Sequence, residues 1–236
     1  MRELRKNLEL RAVEIIPNVN KWAEGSCLIK VGGTQVICTA SVENQRPLWK
    51  RLQNISGGWV AAEYSMLPRA VDKRKNRKNI MDDHRSAEIS RLVGRSLRAV
   101  VDMDKLCDRS IVIDCDVIQA DGGTRCAAIT GGFVALNLAC KKLLAEGKLK
   151  QDPIKDFVAA VSVGMAGGQL LMDLDFGEDC GAEIDSNFAM LGSGKFIEVQ
   201  ATGEAGDFDA KLLAEMMDAA AKGCRELINK QVKAVG

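Results

Sequence analysis

The 236-residue sequence predicts a mixed α/β fold of the α+β type, in which short strands form mainly antiparallel hairpins beside a few helices. Three observations indicate this fold. Several short apolar segments are joined through glycine pairs, as is typical of hairpins. Other segments repeat their apolar residues at helical spacing. No linker divides the chain, so we expect a single domain over residues 1–236.

In the first half of the chain, four strands are predicted before the first long helix. The second and third strands flank Gly32-Gly33, and Pro68 closes the fourth. Residues 69–83 are polar and basic with little periodicity, and we expect a loop there. From residue 86 to 101 the apolar residues fall on one helical face and the arginines on the other. The four predicted strands are residues 9–15, 26–31, 34–42 and 59–67.

In the second half, a fifth strand (110–118) leads through glycines into a long apolar helix (127–145). Four more strands follow, the first two joined at Gly167-Gly168. A last helix begins near Asp207 or Asp209, since either carboxylate can cap it. The four strands are residues 157–165, 170–176, 182–190 and 196–200.

The composition argues against several classes of protein. The formal net charge is +1, so any site for a polyanion must come from a local cluster. The eight cysteines include no C-x-x-C pair, which favours reduced thiols in a cytoplasmic protein over disulfides or a zinc site. The single histidine, His84, argues against a catalytic triad or a two-histidine zinc site. We find no signal segment and no uninterrupted apolar stretch long enough for a bilayer, so no membrane partner is expected.

The turn before the long apolar helix has the sequence Gly122-Gly123-Thr124-Arg125. Backbone N–H groups, a helix dipole, a hydroxyl and a guanidinium meet there, and together they suit an anion such as phosphate. A plain helix start, with Thr124 as the cap and Arg125 paired with a carboxylate, fits the turn about as well. Arg85, at the start of another helix, leaves a similar choice between a solvated side chain and a second ligand for one phosphate.

An acidic cluster includes Glu178, Asp179, Glu183 and Asp185. Asp185 lies inside an apolar strand, where a carboxylate is costly without a partner or a task. It is therefore the best candidate for a general acid or a metal ligand. Asp179 fits the same site or a turn cap, and Glu178 is expected to be a solvated turn charge. A metal-dependent hydrolase that uses Asp179, Glu183 and Asp185 is an alternative reading of this cluster.

The predicted basic loop carries six cations and no aromatic residue on which a base could stack. A solvated loop is the ordinary outcome of such a run, but a contact with a nucleic-acid backbone, independent of base sequence, also fits it. The six cations are Arg69, Lys73, Arg74, Lys75, Arg77 and Lys78.

Several long runs, in order along nearly the whole chain, resemble the ribonuclease PH family of bacterial phosphate-dependent 3′-to-5′ exoribonucleases, which trim tRNA precursors. The chain departs from the family pattern at the N-terminus, where residues 2–6 replace the usual Arg-x-Asp-Gly-Arg segment, and at Cys126, where threonine is usual. The matching runs are residues 58–70 (GWVAAEYSMLPRA), 91–100 (RLVGRSLRAV), 113–125 (IDCDVIQADGGTR), 178–179 (ED), 182–187 (AEIDSN) and 198–200 (EVQ).

The resemblance implies a ribonuclease PH-like fold of the ribosomal protein S5 domain 2-like type, with mixed sheets and helices in two related halves. It implies inorganic phosphate as co-substrate and nucleoside 5′-diphosphates as products, in a reaction that can run backwards as 3′ nucleotide addition. The phosphate ligands implied by position are Arg85, Gly123, Thr124 and Arg125.

The resemblance also implies that Asp185 and Asp179 are the catalytic carboxylates and hold a divalent metal such as Mg²⁺. It gives Arg69, Arg74 and Arg77 the role of RNA contacts. The implied partners are RNA, above all the 3′ end of tRNA precursors, and further copies of the chain in a homohexamer built as a trimer of dimers. The alternative is a non-catalytic RNA-binding ring subunit, which we would expect to lack these arginines or aspartates.

Overall fold

The computed structural model describes residues 2, 5–76 and 83–236, and nine strands and five helices form in that part of the chain. The mixed α/β class predicted from the sequence is confirmed. The first eight elements are β1 (Val13–Pro17), β2 (Gly25–Val31), β3 (Thr34–Glu43), α1 (Leu48–Leu52), β4 (Trp59–Met66), α2 (His84–Ala99), β5 (Ser110–Gln119) and α3 (Thr124–Ala145). The last six are β6 (Val158–Ala166), β7 (Gln169–Met172), α4 (Phe176–Cys180), β8 (Ile184–Leu191), β9 (Phe196–Gly203) and α5 (Ala210–Val235).

The strands form two sheets. In the first sheet the order is β1-β2-β3-β5-β4, and neighbours are antiparallel except for the parallel pair β4–β5. This pair is parallel because α2 lies between the two strands in sequence and returns the chain to the end at which β4 started. The second sheet has the order β7-β6-β8-β9 and is antiparallel throughout.

Helix α3 lies between the two sheets at the centre of the core, and contacts β2 and β3 of the first sheet and β6 of the second. Sixteen of its 22 residues are buried, so it has no polar face, as expected of a helix that is enclosed by protein. Gly131 allows close packing on the first sheet, because a Cβ atom there would lie 2.7 Å from Cγ2 of Ile29. The turn at residues 121–125, called the phosphate turn after the ligand that the sequence predicts for it, is therefore attached to the most firmly enclosed helix of the fold.

Helix α3 is also the one helix, among the described residues, that is long and apolar enough to span a membrane. The sequence-based statement that no such stretch exists is corrected in this respect. Within the protein, 78% of its most apolar window is buried. Burial of that extent is typical of the core helix of a folded domain.

Strand β6 separates two hydrophobic clusters because its residues alternate between the faces of the sheet. Val158 and Ala160 face α3, whereas Val161 and Val163 face α5. Helix α5 begins where the sequence predicted, since the carboxylate of Asp209 accepts a hydrogen bond from the backbone N–H of the third helical residue at 2.8 Å.

All eight cysteines are free thiols, and six of them are buried, as the sequence predicted for reduced structural cysteines. Burial raises the pKa of Cys140 and of Cys224 to about 12, so both thiols stay protonated near neutral pH. Cys107 and Cys180 are the two that are exposed.

Other element predictions need correction. Strand β1 begins at Val13 rather than at residue 9, and the five-residue helices α1 and α4 were not predicted. The strand predicted to reach residue 176 ends at Met172. It ends there because Asp173 turns the backbone to a φ of +56°, after which Asp175 caps α4.

Candidate active site

The chain turns sharply between β5 and α3 at Gly122 and Gly123, where φ is +74° and +66°. These angles favour glycine, and at Gly122 space also requires it, because a Cβ atom would lie 2.5 Å from the carbonyl oxygen of Leu174. Helix α3 begins directly afterwards at Thr124, with Gly123 as its N-cap. The N–H groups of the first helical turn therefore lack intrahelical partners and can bind an anion.

Thr124 does not cap the helix, so that part of the plain helix start considered from the sequence is wrong, whereas its other part, a pair between Arg125 and a carboxylate, does form with Glu88. Its hydroxyl instead hydrogen-bonds the phenol of Tyr64, with 2.8 Å between Oγ1 and Oη. Tyr64 is 1% exposed and Thr124 is 8% exposed, so water does not compete for this bond. Tyr64 comes from β4, on the face of the strand that also buries Val60. The pair fixes the direction of the Thr124 side chain at the start of α3.

Two arginines act on the same phenol. Burial raises the pKa of Tyr64, whereas the positive charges of Arg85 and Arg125 lower it by less. The charges of both guanidinium groups therefore reach the phenol that bonds Thr124, although they come from different helices. Arg85 is exposed in the first turn of α2. Arg125 is half-buried, and its Nη1 donates to Oε1 of Gln200 at 3.3 Å and lies 3.8 Å from Oε1 of Glu88.

Asp185, the second residue of β8, is half-buried beside this cation. Burial raises the pKa of its carboxyl group, and the negative charge of Asp179 raises it further. Arg125 and a hydrogen bond from Asn187 (Nδ2 to Oδ2, 3.4 Å) lower it by less. Asp179 lies exposed near the end of α4. A carboxyl group with a raised pKa is suited to donate a proton.

Arg125 and Asp185 line the same cleft, which has a volume of about 350 Å³. The cleft is bounded by α2, the start of α3, β8 and β9. A phosphate bound by Arg125 in this cleft would thus share it with the carboxyl group that has the raised pKa. The other lining residues are Glu88, Asn187, Val199, Gln200, Ala201 and Thr202.

Two members of the acidic cluster have other roles. Glu183 precedes β8, and its Oε2 accepts a hydrogen bond from the N–H of Gly168 at 3.4 Å. Glu178 is not the solvated turn charge predicted, because its carboxylate completes the capping box of α4 and pairs with Arg2 at 2.5 Å and with Arg5 at 3.1 Å. Glu183 and Glu178 are therefore engaged in contacts of their own within the fold.

Asp179 and Asp185 are the two carboxylates that were predicted to hold a divalent cation. Over residues 2, 5–76 and 83–236, no group of three or more His, Cys, Asp or Glu side chains forms a ready-made metal site. Mg²⁺, however, is commonly held by one or two carboxylates together with substrate phosphates and water. A cation there would also offset the repulsion by which Asp179 raises the pKa of Asp185. The donor set therefore fits Mg²⁺ bound together with RNA.

The basic loop begins beside the phosphate turn. The carbonyl oxygen of Ala70 accepts a hydrogen bond from the N–H of Ala120 at 2.8 Å, which ties the loop to the end of β5. Arg69 and Arg74 are exposed in this loop. Arg77, the third predicted RNA contact, lies outside the described residues.

Three polar residues of the site were not singled out from the sequence, namely Tyr64, Asn187 and Gln200. Tyr64 had a usable signal, since a tyrosine on the inward face of an apolar strand needs a partner for its hydroxyl. Asn187 also had one, because it lies two residues after Asp185 on the same strand and so shares its face. Gln200 carried no such local signal.

Comparison with known proteins identifies the family. Residues 9–142 match the 3′ exoribonuclease family, domain 1, and residues 156–223 match domain 2 of the same family. The ribonuclease PH of Bdellovibrio bacteriovorus is 49% identical over 97% of this chain and 93% of its own length. That of Bacillus pumilus is 52% identical over 97% of this chain and 95% of its own length. The chain belongs to the ribonuclease PH family.

This ribonuclease PH family member also shares its fold with solved structures. The Archaeoglobus fulgidus exosome with RNA bound to the active site contains a chain with a TM-score of 0.82 and 25% identity, covering 96% of this chain and 90% of that one. A chain of an archaeal exosome core has a TM-score of 0.77 at 24% identity, covering 97% and 89%. The ribonuclease PH-like fold and the phosphorolytic 3′ exoribonuclease class predicted from the sequence are confirmed.

Proposed function

We propose that this protein shortens RNA from its 3′ end by phosphorolysis in the cleft between Arg125 and Asp185. The observation that carries the proposal is that Arg125, the second residue of the helix that follows the glycine turn, and Asp185, a carboxyl group with a raised pKa, line the same cleft. An anion-binding helix start beside a proton donor is what the transfer of a nucleotide to inorganic phosphate requires.

In this proposal inorganic phosphate binds to Arg85, to the backbone and hydroxyl groups of Gly123 and Thr124, and to Arg125. The two guanidinium groups supply fork-like hydrogen bonds, and the start of α3 supplies N–H donors. The bond between Thr124 and Tyr64 supports the assignment because it fixes a hydroxyl at the turn before phosphate arrives. These groups orient one phosphate oxygen toward the last phosphodiester of the RNA.

The bound phosphate attacks the phosphorus of that phosphodiester in line, and the bond to the 3′ oxygen of the preceding nucleotide breaks. Asp185 protonates the departing 3′ oxygen, and the last nucleotide leaves as its 5′-diphosphate. Arg125 and the positive end of α3 stabilise the charge that develops on the non-bridging oxygens. The reverse reaction, 3′ nucleotide addition, uses the same groups.

Asp179, and Asp185 once it has given up its proton, would hold Mg²⁺ in this site, where it would supply charge neutralisation for the RNA phosphate. Burial and the negative charge of Asp179 keep the pKa of Asp185 raised while the site is free of cations. For the RNA strand, we propose contacts with Arg69, Arg74 and Arg77. The exposure of Arg69 and Arg74 supports this, and such contacts bind the backbone without reading the bases.

We propose the 3′ end of tRNA precursors as substrate and a cytoplasmic homohexamer, a trimer of dimers, as the assembly. Exposed Leu48 and Leu52 on α1 support burial of that surface against another copy. We also propose that residues 1–236 act as one domain. Packing of α3 against both sheets supports this, although the family is described in two parts. Light scattering of the purified protein tests the hexamer.

The deciding experiment incubates a tRNA precursor with the protein, with and without inorganic phosphate, and identifies the products. We expect nucleoside diphosphates only when phosphate is present. We expect this phosphate-dependent release to be lost when Arg125 is replaced by alanine. Nucleoside monophosphates formed without phosphate would overturn the proposal in favour of the hydrolase. RNA that is bound but not shortened would favour the non-catalytic ring subunit.

A further inference from the structure

A buried guanidinium lies directly behind the phosphate turn. Arg11 precedes β1, and its side chain is 8% exposed. It is paired with the carboxylate of Asp173, which is 4% exposed, through Nη2 to Oδ1 at 2.7 Å and Nε to Oδ2 at 3.0 Å. The backbone N–H of Arg11 donates to the same Oδ2 at 2.8 Å. A bidentate pair with a third bond leaves this guanidinium little freedom to move.

The guanidinium also contacts the turn itself. Its Nη1 donates to the carbonyl oxygen of Asp121, and its Nη2 lies 3.4 Å from the carbonyl oxygen of Gly122. Thr34 supports the same turn, because its hydroxyl donates to the oxygen of Gly122 at 2.6 Å and accepts from the N–H of Asp121 at 2.9 Å. Both carbonyls are thereby held toward the interior.

The geometry of the peptide bond gives these contacts a consequence for the opposite side of the turn. In a planar trans peptide, the C=O and the following N–H point in opposite directions. Holding the carbonyl of Gly122 inward therefore points the N–H of Gly123 away from Arg11. That N–H is one of the donors that the proposed phosphate site requires. Arg11 thus sets the direction of a phosphate donor without touching phosphate.

Asp173 keeps the guanidinium in the orientation that this contact needs. The backbone at Asp173 is itself fixed, since its N–H donates to the carbonyl oxygen of Ser162 at 2.7 Å and its carbonyl accepts from Nη2 of Arg5 at 2.7 Å. Burial alone would lower the pKa of Arg11, but the hydrogen bond and charge of Asp173 outweigh burial and raise it. The guanidinium of Arg11 therefore remains charged behind the turn at neutral pH.

We propose that Arg11 and Asp173 are positioning residues for inorganic phosphate, acting through the carbonyl groups of Asp121 and Gly122. This inference rests on the proposed phosphorolysis and assigns a role to residues from outside the cleft. They set the affinity for phosphate, and they do not contact RNA or donate a proton.

The test measures kcat and separate KM values for phosphate and for RNA in Arg11→Lys and Arg11→Met. A lysine keeps the charge but cannot hold Asp173 and two carbonyls at once. We expect the phosphate KM to rise about tenfold or more in both variants, because each loses a charge-assisted hydrogen bond to the turn. The KM for RNA should change less than about twofold. Millimolar methylguanidinium should partly restore the phosphate KM of Arg11→Met and leave that of Arg11→Lys unchanged.

Arg46→Met is the matched control, because Arg46 also pairs with a carboxylate, Asp108, and donates to a backbone carbonyl, but at another place in the fold. It should leave the phosphate KM unchanged. Should both Arg11 variants fail to fold, Thr34→Val decides, since it removes one bond to the Gly122 carbonyl without burying an unpaired charge. We expect a rise of about threefold in its phosphate KM.

The outcomes separate this inference from the proposed function. A wild-type protein that shortens RNA without phosphate would refute phosphorolysis itself. A phosphate-dependent wild type whose Arg11 or Thr34 variants keep the wild-type phosphate KM would refute the positioning role alone. An equal rise in both KM values would also refute it, because that result indicates general damage to the fold.

Discussion

Replacing Tyr64 with phenylalanine removes one buried hydroxyl and leaves the aromatic ring in place. The lost group is the partner of the Thr124 hydroxyl at 2.8 Å, and both residues are buried. A neutral hydrogen bond contributes about 0.5–1.5 kcal/mol, and a buried hydroxyl left without a partner costs about 1–3 kcal/mol. We therefore expect Tyr64→Phe to lower the free energy of unfolding by about 2 kcal/mol. For a chain of this size, that loss lowers the melting temperature by about 4–8 °C.

The same substitution frees the Thr124 side chain to rotate at the phosphate turn. We expect the KM for phosphate to rise about three- to tenfold, the equivalent of roughly 1 kcal/mol of lost orientation, with a smaller change in the KM for RNA. The assay pairs calorimetric unfolding with initial rates of nucleoside diphosphate release over a range of phosphate concentrations. Thr130→Val is the control, because it removes another buried hydroxyl of α3, which bonds the backbone of Ala160. It should destabilise the fold without changing the phosphate KM.

A double-mutant cycle with Thr124→Val isolates the bond between the two hydroxyls. We expect a coupling energy of about 1–2 kcal/mol in unfolding, because either single variant already breaks the bond. Additivity of the two single variants to within about 0.3 kcal/mol would refute the reasoning. An unchanged phosphate KM in Tyr64→Phe would refute its second half.

Three further predictions concern the residues around the cleft. Gly122→Ala should destabilise the fold by about 3 kcal/mol or more because its Cβ would meet the Leu174 carbonyl. Gly147→Ala, also at positive φ but in open space, should lower the free energy of unfolding by about 1 kcal/mol. Equal melting temperatures of the two variants would contradict this. Asp185→Asn should abolish turnover, retain RNA binding and raise the melting temperature at neutral pH. The wild type should lose stability as pH rises from about 4 through the raised pKa of Asp185. If the stability of Asp185→Asn depends on pH as steeply as that of the wild type, this prediction is contradicted. Asn187→Leu should lower kcat about tenfold and move its alkaline decline to higher pH, because Asn187 lowers the pKa of Asp185; a kcat profile that does not move in pH would count against this role.

The elements with strong local patterns were predictable from the sequence. Strands β2, β3, β4 and β5 lie within a residue or two of their predicted bounds, because glycine turns and alternating apolar residues define them locally. Helix α4 was not predictable in this way, since the chain leaves β7 at Asp173 in response to Arg11 and Arg5 from the distant N-terminus. Contacts across 160 residues leave no periodic signal.

In the candidate site, too, features defined by neighbouring residues were predictable, and features defined by distant contacts were not. The turn at Gly122 and Gly123 could be read directly, because strand, glycines and helix are consecutive. The inward-facing Tyr64 signalled only that its hydroxyl needs a partner, and the identity of that partner could not be read because it depends on the pairing of β4 with β5. Asp185 was singled out only as a carboxylate in an apolar strand.

The enclosure of α3 by both sheets has a consequence for synthesis of the chain on the ribosome. The first sheet is complete once residue 119 has emerged, and it can cover one side of α3 at once. The strand that covers the other side, β6, begins only at Val158, and its own outer face waits for α5 near the C-terminus. A highly apolar helix therefore stays half-covered while roughly the last third of the protein is made. Translation pauses placed after residue 145 should for that reason increase the binding of chaperones to the nascent chain.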